Sequence, residues 1–136
     1  MSAPYAHIRA ALTARLQTLS GLPAVAWENV AYTPTLGTTF LKPSLLPAEP
    51  FQAEIGTTGQ NVHTGIYQIS IFAPAGTGMA HQTLRDSICD LFKRGVTLTY
   101  GGITVTCVKS YPSAMLQETD WVQIPITVVW RSYAAN

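Results

Sequence analysis

Residues 96–107 read VTLTYGGITVTC, two alternating runs on either side of Gly101-Gly102. A two-residue type I′ turn needs positive φ at both central positions, and a Gly-Gly pair supplies it without steric cost. Folding the chain there sets Tyr100 against Ile103, Thr99 against Thr104, Leu98 against Val105 and Thr97 against Thr106. Each pair matches like with like, so the register is over-determined. The stretch decides the fold because of what precedes it. A helical pattern from about Thr77 to Arg94 runs straight into it. A helix that feeds an antiparallel hairpin is not the crossover of a parallel βαβ unit.

In that helical pattern Ala80, Leu84, Ile88 and Leu91 form one stripe, Phe92 lies beside it, and Gly95 is placed as a C′ glycine. A second helix is expected over residues 4–19, with Ser2 as cap, Pro4 in the first turn and Gly21 and Pro23 as stop. Its stripe is Tyr5, Ile8, Leu12, Leu16 and Leu19. VAWENVAYT, from Val25, reads as a strand. The next segment, PTLGTTFLKPSLLPAEP, carries four of the nine prolines and is expected at a sheet edge or as an irregular excursion. FQAEI and VHTGIYQISIFA, separated by the polar GTTGQN, suggest two strands joined by a long, mobile hairpin. DWVQIPITVVWRS closes the chain with Val122, Ile124, Ile126, Val128 and Trp130 on one side, and Pro125 on the other side argues for an edge or a bulge. The reading is therefore α+β: two helices packed on one face of a largely antiparallel, mixed β-sheet, with a long hairpin or loop extension.

A chain of 136 residues is most simply one domain, residues 1–136. It is 47% apolar and only 11% charged, where soluble domains average about 25%. A weakly charged surface points to self-association. The formal charge of +1 does not favour tight nucleic-acid binding, and the adjacent Lys93 and Arg94 suit a helix C-terminus. Cys89 and Cys107 have no metal-ligand spacing and read as small hydrophobic groups. No segment reaches the ~20 apolar residues of a membrane helix, and no signal-peptide core is present, so a cytoplasmic protein is expected.

The stretch ISIFAPAGTGMAHQTLRD, residues 69–86, has the strand, glycine loop and helix outline of a phosphate-binding site. It fails in detail. No Lys-Ser/Thr pair follows Gly78, and His81 stands where a dinucleotide loop needs a third small residue. His7, His63 and His81 share no i, i+4 spacing. His81 and Cys89 are about 12 Å apart on one helix, too far to hydrogen-bond. Asp86 and Asp90 are surrounded by Arg85, Lys93 and Arg94 as on an exposed helical face, and Glu118 and Asp120 sit in a loop. No catalytic, metal or cofactor site is expected, and no cofactor. What remains is a surplus of large apolar groups beside polar, proline-rich segments. Trp27, Phe40 and Phe51, with Glu54, Gln60, Asn61 and His63 of the 52–64 hairpin, are the candidate interface, because edge strands and fingers join subunits by sheet extension.

The order of an N-terminal helix, PAVAWENVAYTP, FLKPSLLPAEP, HTGIYQISIFAPAGTGMAHQTLRDSICDLFKRG and DWVQIPITVVWR resembles the tail terminator-like proteins of long-tailed bacteriophages and prophages. The likeness spans nearly the whole chain and rests on the W-E-N, G-I-Y-Q and P-A-G-x-G stretches. It implies an α+β subunit of a hexameric ring that caps the finished tail tube, stops its polymerisation and presents the head-docking surface. The implied partners are further copies of the chain, the tail tube protein and a head-completion or connector protein. Neither membrane nor tight nucleic-acid binding is implied, and assembly would take place in the host bacterial cytoplasm before the protein resides in the virion tail. Another minor tail or neck component is the alternative within this class, and a ligand-binding domain or enzyme using the 74–81 loop the alternative outside it.

Overall fold

Two strands of fourteen residues each, β4 (Asn61–Pro74) and β8 (Trp121–Ala134), pair antiparallel along their whole length, from Asn61↔Ala134 to Pro74↔Trp121. Both alternate apolar groups at every second position, which is what a strand buried on one face requires. The computed structural model describes residues 4–19, 21–28, 30, 33, 38–48, 51–52, 61–76, 81–118 and 120–134. In chain order the other elements are α1 (Pro4–Gln17), β1 (Ala24–Val25), β2 (Phe40–Pro47), β3 (Phe51–Gln52), α2 (Gln82–Leu91), β5 (Thr97–Tyr100), β6 (Ile103–Pro112) and β7 (Leu116–Gln117). The sheet order is β1-β2-β4-β8-β6-β5, with β3 against β4 and β7 against β8. Among the described strands only β1–β2 is parallel; the sheet is mixed and the fold α+β.

Register sorts the side chains into two faces. On one, Leu41, Tyr67, Ile69, Ile71, Ile124, Ile126, Val128 and Trp130 are buried in a single core. Ile8, Leu12 and Leu16 of α1, Ile88 of α2 and Phe92 just after it join that core with no exposed surface. Each such side chain removed from water contributes about 1.5–3 kcal/mol. Thr13 lies 3.4 Å from the Tyr67 hydroxyl, the Phe92 and Tyr67 rings are 6.2 Å apart, and Ser110 Oγ donates to the Cys89 carbonyl at 2.7 Å. The other face carries Lys42, Gln68, Ser70, Gln123, Thr127 and Arg131, and Gln123 Nε2 donates to Ser70 Oγ at 3.2 Å.

The β5–β6 hairpin has the register read from its sequence, Tyr100↔Ile103 through Thr97↔Thr106, with φ of 58° and 82° at Gly101 and Gly102. Three expectations change. Of the strand expected over VAWENVAYT the described residues keep only Ala24–Val25: Ala26, Trp27 and Glu28 lie outside any strand, and Val30 N–H donates to the Trp27 carbonyl at 3.2 Å. The second helix starts at Gln82; residues 77–80 lie outside the described residues. Pro125 lies in a central strand. Its missing N–H points toward the gap between β6 and β7, where its carbonyl accepts Ser113 N–H at 2.8 Å. No ladder bond is lost there, so the proline is tolerated without an edge.

Candidate functional site

The chemistry of this chain lies in the borders and open face of its sheet. At the β2 border, backbone polarity alternates: Ala48 N–H donates inward to Thr64, while the Leu41 carbonyl accepts from Ala26 and Leu45 N–H turns outward. The outward N–H positions beyond β1 are therefore 43, 45 and 47. Two of them are prolines and donate nothing, and Leu45 N–H donates to Glu28 Oε1 at 2.8 Å. Glu28 is in turn paired with Arg9 of α1. A strand edge closed by prolines and a carboxylate presents no donor to an incoming strand.

The β5 border is built differently. Val96 and Cys107 are paired by Cys107 N–H to the Val96 carbonyl at 2.8 Å, which directs the backbone groups of Thr97 and Thr99 outward. Both threonines are exposed, as is Tyr100 at 49%. No proline or charged side chain occupies this edge.

The residues singled out as an interface fall in different environments. Trp27 is half-buried and packs against the core. Phe40 is buried, stacked on Phe72 at 4.8 Å and edge-on to Trp121 at 5.3 Å. His63 has no exposed surface; its Nδ1 lies 3.2 Å from the Tyr5 hydroxyl, with the rings edge-on at 5.3 Å. In the isolated subunit Phe40 and His63 are thus packing groups. Phe51 pairs by backbone with Val62, and Asn61 with Gln52 and Ala134. Glu54, Gln60 and the hairpin tip lie outside the described residues. Reading the chain residue by residue missed Glu28, Pro43, Pro47 and Gly65. The even spacing of the two prolines, which aims both the same way along a strand, was the available signal. Gly65 stands opposite Trp130, and a Cβ there would lie 2.6 Å from the Leu46 carbonyl oxygen and 2.7 Å from the Trp130 ring.

Burial governs the perturbed ionisable groups. The Cys107 thiol, fully buried behind the hairpin, is pushed up to about 11, with Arg15 opposing weakly. Burial also raises the Cys89 thiol and the Tyr67 hydroxyl. Raised thiols are poor nucleophiles at neutral pH. Neither cysteine is in a disulfide, and no group of three metal-ligating side chains is present among the described residues.

Known structures with this fold place it in a class. A solved chain 20% identical superposes with a TM-score of 0.76, covering 97% of this chain and 96% of its own. A chain from the virion of a native gene transfer agent particle, also 20% identical, superposes with a TM-score of 0.62 and covers 98% of this chain and 100% of its own. At that identity the likenesses establish the fold. No curated protein shows significant similarity. The family model for phage tail terminator protein matches residues 7–130, from the first turns of α1 to the Trp130 core. The chain belongs to the phage tail terminator family, a family of structural proteins of the phage tail, and no helix among its described residues is long and apolar enough to cross a membrane.

Proposed function

We propose that the protein assembles as a hexameric ring on the finished tail tube, ends tube polymerisation and offers the surface on which the head docks. The observation that carries this reading is the family match over residues 7–130, which takes in almost the whole fold. In this arrangement α1 and α2 pack together on the core face of the sheet, through Thr13 and Phe92 against Tyr67 and Cys89 against Ser110. The strand face and the 52–64 hairpin are then left for neighbours. Trp27, Phe51, Glu54, Gln60 and Asn61 form the contacting set, while buried Phe40 and His63 hold the backbone beneath it. The partners are further copies of the chain, the tube protein and a head-completion or connector protein. Assembly takes place in the host bacterial cytoplasm and needs no cofactor, and nucleic acid is not bound tightly.

The closed β2 border bears on how copies join. Continuous sheet extension from one subunit to the next through β2 lacks outward donors at Pro43 and Pro47, so copies join through the hairpin and side-chain packing. Polymerising the cognate tube subunit with the protein present should give tubes of fixed length with the protein at one end. Tubes of unlimited length with the protein free in solution would refute the reading.

A further inference from the structure

We propose that copies of the chain join through two different surfaces, the β2 border of one, at Lys42 and Leu46, seating on the β6–β7 corner of the next, at Met115, Leu116, Glu118 and Asp120. The inference rests on the reading of the chain as a ring subunit and adds which two of its surfaces meet. Six large apolar or aromatic side chains are exposed among the described residues, and five of them fall at two opposite borders of the sheet. Leu46 lies on β2, and Val30 follows Glu28, whose carboxylate sits on the Leu45 N–H of the same border. Tyr111 is near the end of β6, Leu116 opens β7 and Met115 lies between them, all on the far side of β8. The order β2-β4-β8-β6 sets the two groups three strand spacings apart, about 14 Å. The sixth, Tyr100, packs toward the His7 ring at 5.9 Å between centroids.

Register puts both groups on the face opposite the core. Leu116 stands across from Gln123 and Tyr111 from Thr127, on the side of Lys42 and Leu46. Tyr111 reaches that side through a backbone irregularity. Strict alternation from Val105 and Cys107, both fully buried, would aim residues 109 and 111 into the core. The register shifts between Cys107 and Lys109, which turns Lys109 and Tyr111 outward, with the Lys109 Nζ 5.7 Å from the Tyr111 ring centroid. A bulge re-aims side chains in this way.

Charge decides which patch meets which. Lys42 accompanies Leu46 on β2, while Glu118 and Asp120 follow Leu116 in the turn from β7 to β8. All three are exposed, and none is ion-paired with a described residue. Lys109 offsets one of the two carboxylates, so the corner is net acidic and the β2 border basic. Either patch against its own copy opposes like charges, whereas one against the other brings opposite charges together. Such a contact is heterologous, the type that closes into rings. Pro43, Pro47 and Glu28 already close the outward donors of β2, so the neighbour meets side chains there and not a hydrogen-bond ladder. An apolar centre with charges at its margin is the anatomy of a protein interface.

The test mixes two full-length chains, one carrying Leu46→Cys and the other Leu116→Cys, with a short bismaleimide that traps weak association. Both positions are exposed, so each variant should melt cooperatively as the parent does. Cross-linked dimer is expected in the mixture, and with either chain alone nothing beyond the background of the parent, whose Cys89 is half-buried and Cys107 buried. One chain carrying both substitutions should give a ladder of larger species. At low salt, Lys42→Glu on the Leu46→Cys chain should cut the dimer yield at least about threefold, and Glu118→Lys on the other chain should restore it. Lys93→Glu with Arg94→Glu, just past α2, should change nothing. No dimer in the mixture would overturn the proposal, as would dimer equally strong from either chain alone or a yield untouched by Lys42→Glu. Tube-length control is measured separately on the parent. Fixed-length tubes without the mixed dimer would strike this contact and leave the terminator reading standing; the dimer with unlimited tubes would do the reverse.

Discussion

The two borders of the sheet solve the edge problem in opposite ways. Beyond β1, the β2 border is closed at every outward donor position, by Pro43, by Pro47 and by the Glu28 carboxylate on Leu45 N–H. The β5 border is a four-residue strand with threonines outward and no closing device. Length accounts for the difference. An eight-residue edge is a template for unwanted pairing and has to be blunted, whereas a very short one is protected by its shortness. The closed border is also the more tightly built. A Cβ at Gly65, one strand inside it, would meet backbone from β2 at 2.6 Å, while the nearest atoms to a Cβ at Gly101 in the β5–β6 turn belong to the His7 ring, at 2.9 Å.

That contrast predicts the largest effects. Gly65→Ala should cost roughly 4 kcal/mol or more, because the new methyl overlaps the Leu46 carbonyl, Trp130 and the Pro47 Cα, and two of these are backbone. Gly101→Ala should cost about 1–2 kcal/mol: its φ of +58° strains an L-residue, but the His7 ring can swing aside. Urea denaturation of the two variants measures both. Equal costs would show that the two borders are not differently built.

On the β5 side, Cys107 sharpens the comparison through pH. Its thiol is raised in the fold to about 11 from 9.0 because burial disfavours the thiolate. An acid whose native pKa is raised stays fully stabilising below the unfolded value. The unfolded chain ionises first as pH rises through 9, so stability falls until about pH 11, by at most about 1.4 kcal/mol per unit. The total is about 3 kcal/mol at the upper bound. Cys107→Val should flatten most of that alkaline decline, leaving the smaller parts from Cys89 and Tyr67, whose pKa values are also raised. Chemical denaturation across this window reads it, and a slope unchanged in Cys107→Val would place the decline elsewhere.

How much of this could be read in the chain differs between the borders for the same reason. The β5–β6 register was fully legible, since Gly101-Gly102 fixes the turn and four like pairs fix the alignment. The α1 stripe was legible too, with Ile8, Leu12 and Leu16 fully buried. Pro125 misled, because a proline is barred from a central strand only where its missing donor would face a partner, and sequence does not reveal a gap between two neighbouring strands. Glu28 was read as part of a strand. Its role depends on Leu45, brought to it by the fold from seventeen positions away. The placement of Lys109 was hidden by a single residue. Alternation counted without the bulge at Val108 puts Lys109 on the core side, away from Arg131. Local chemistry is visible in sequence, and anything that depends on which strand lies alongside is not.

The smallest stability effects test whether the β2 border is closed by design of its donors or merely by occupancy. Glu28→Ala leaves the half-buried Leu45 N–H without its acceptor and should cost about 1–2 kcal/mol. Glu28→Gln keeps an oxygen for that N–H and loses only the exposed Arg9 pair, so its cost should stay under about 1 kcal/mol. Pro47→Thr should be nearly neutral, within about 0.5 kcal/mol, because the site is exposed, a β-branched residue suits a strand and the proline made no ladder bond. Its effect should appear in association instead. A new outward donor beside exposed Leu46 restores part of the template that the proline removed, and the Pro47→Thr chain should sediment as larger species at concentrations where the parent does not. If Pro47→Thr and Glu28→Ala both sediment as the parent does at every concentration, the missing donors are not what keeps this edge free of other strands, and the contrast between the borders reduces to one of packing.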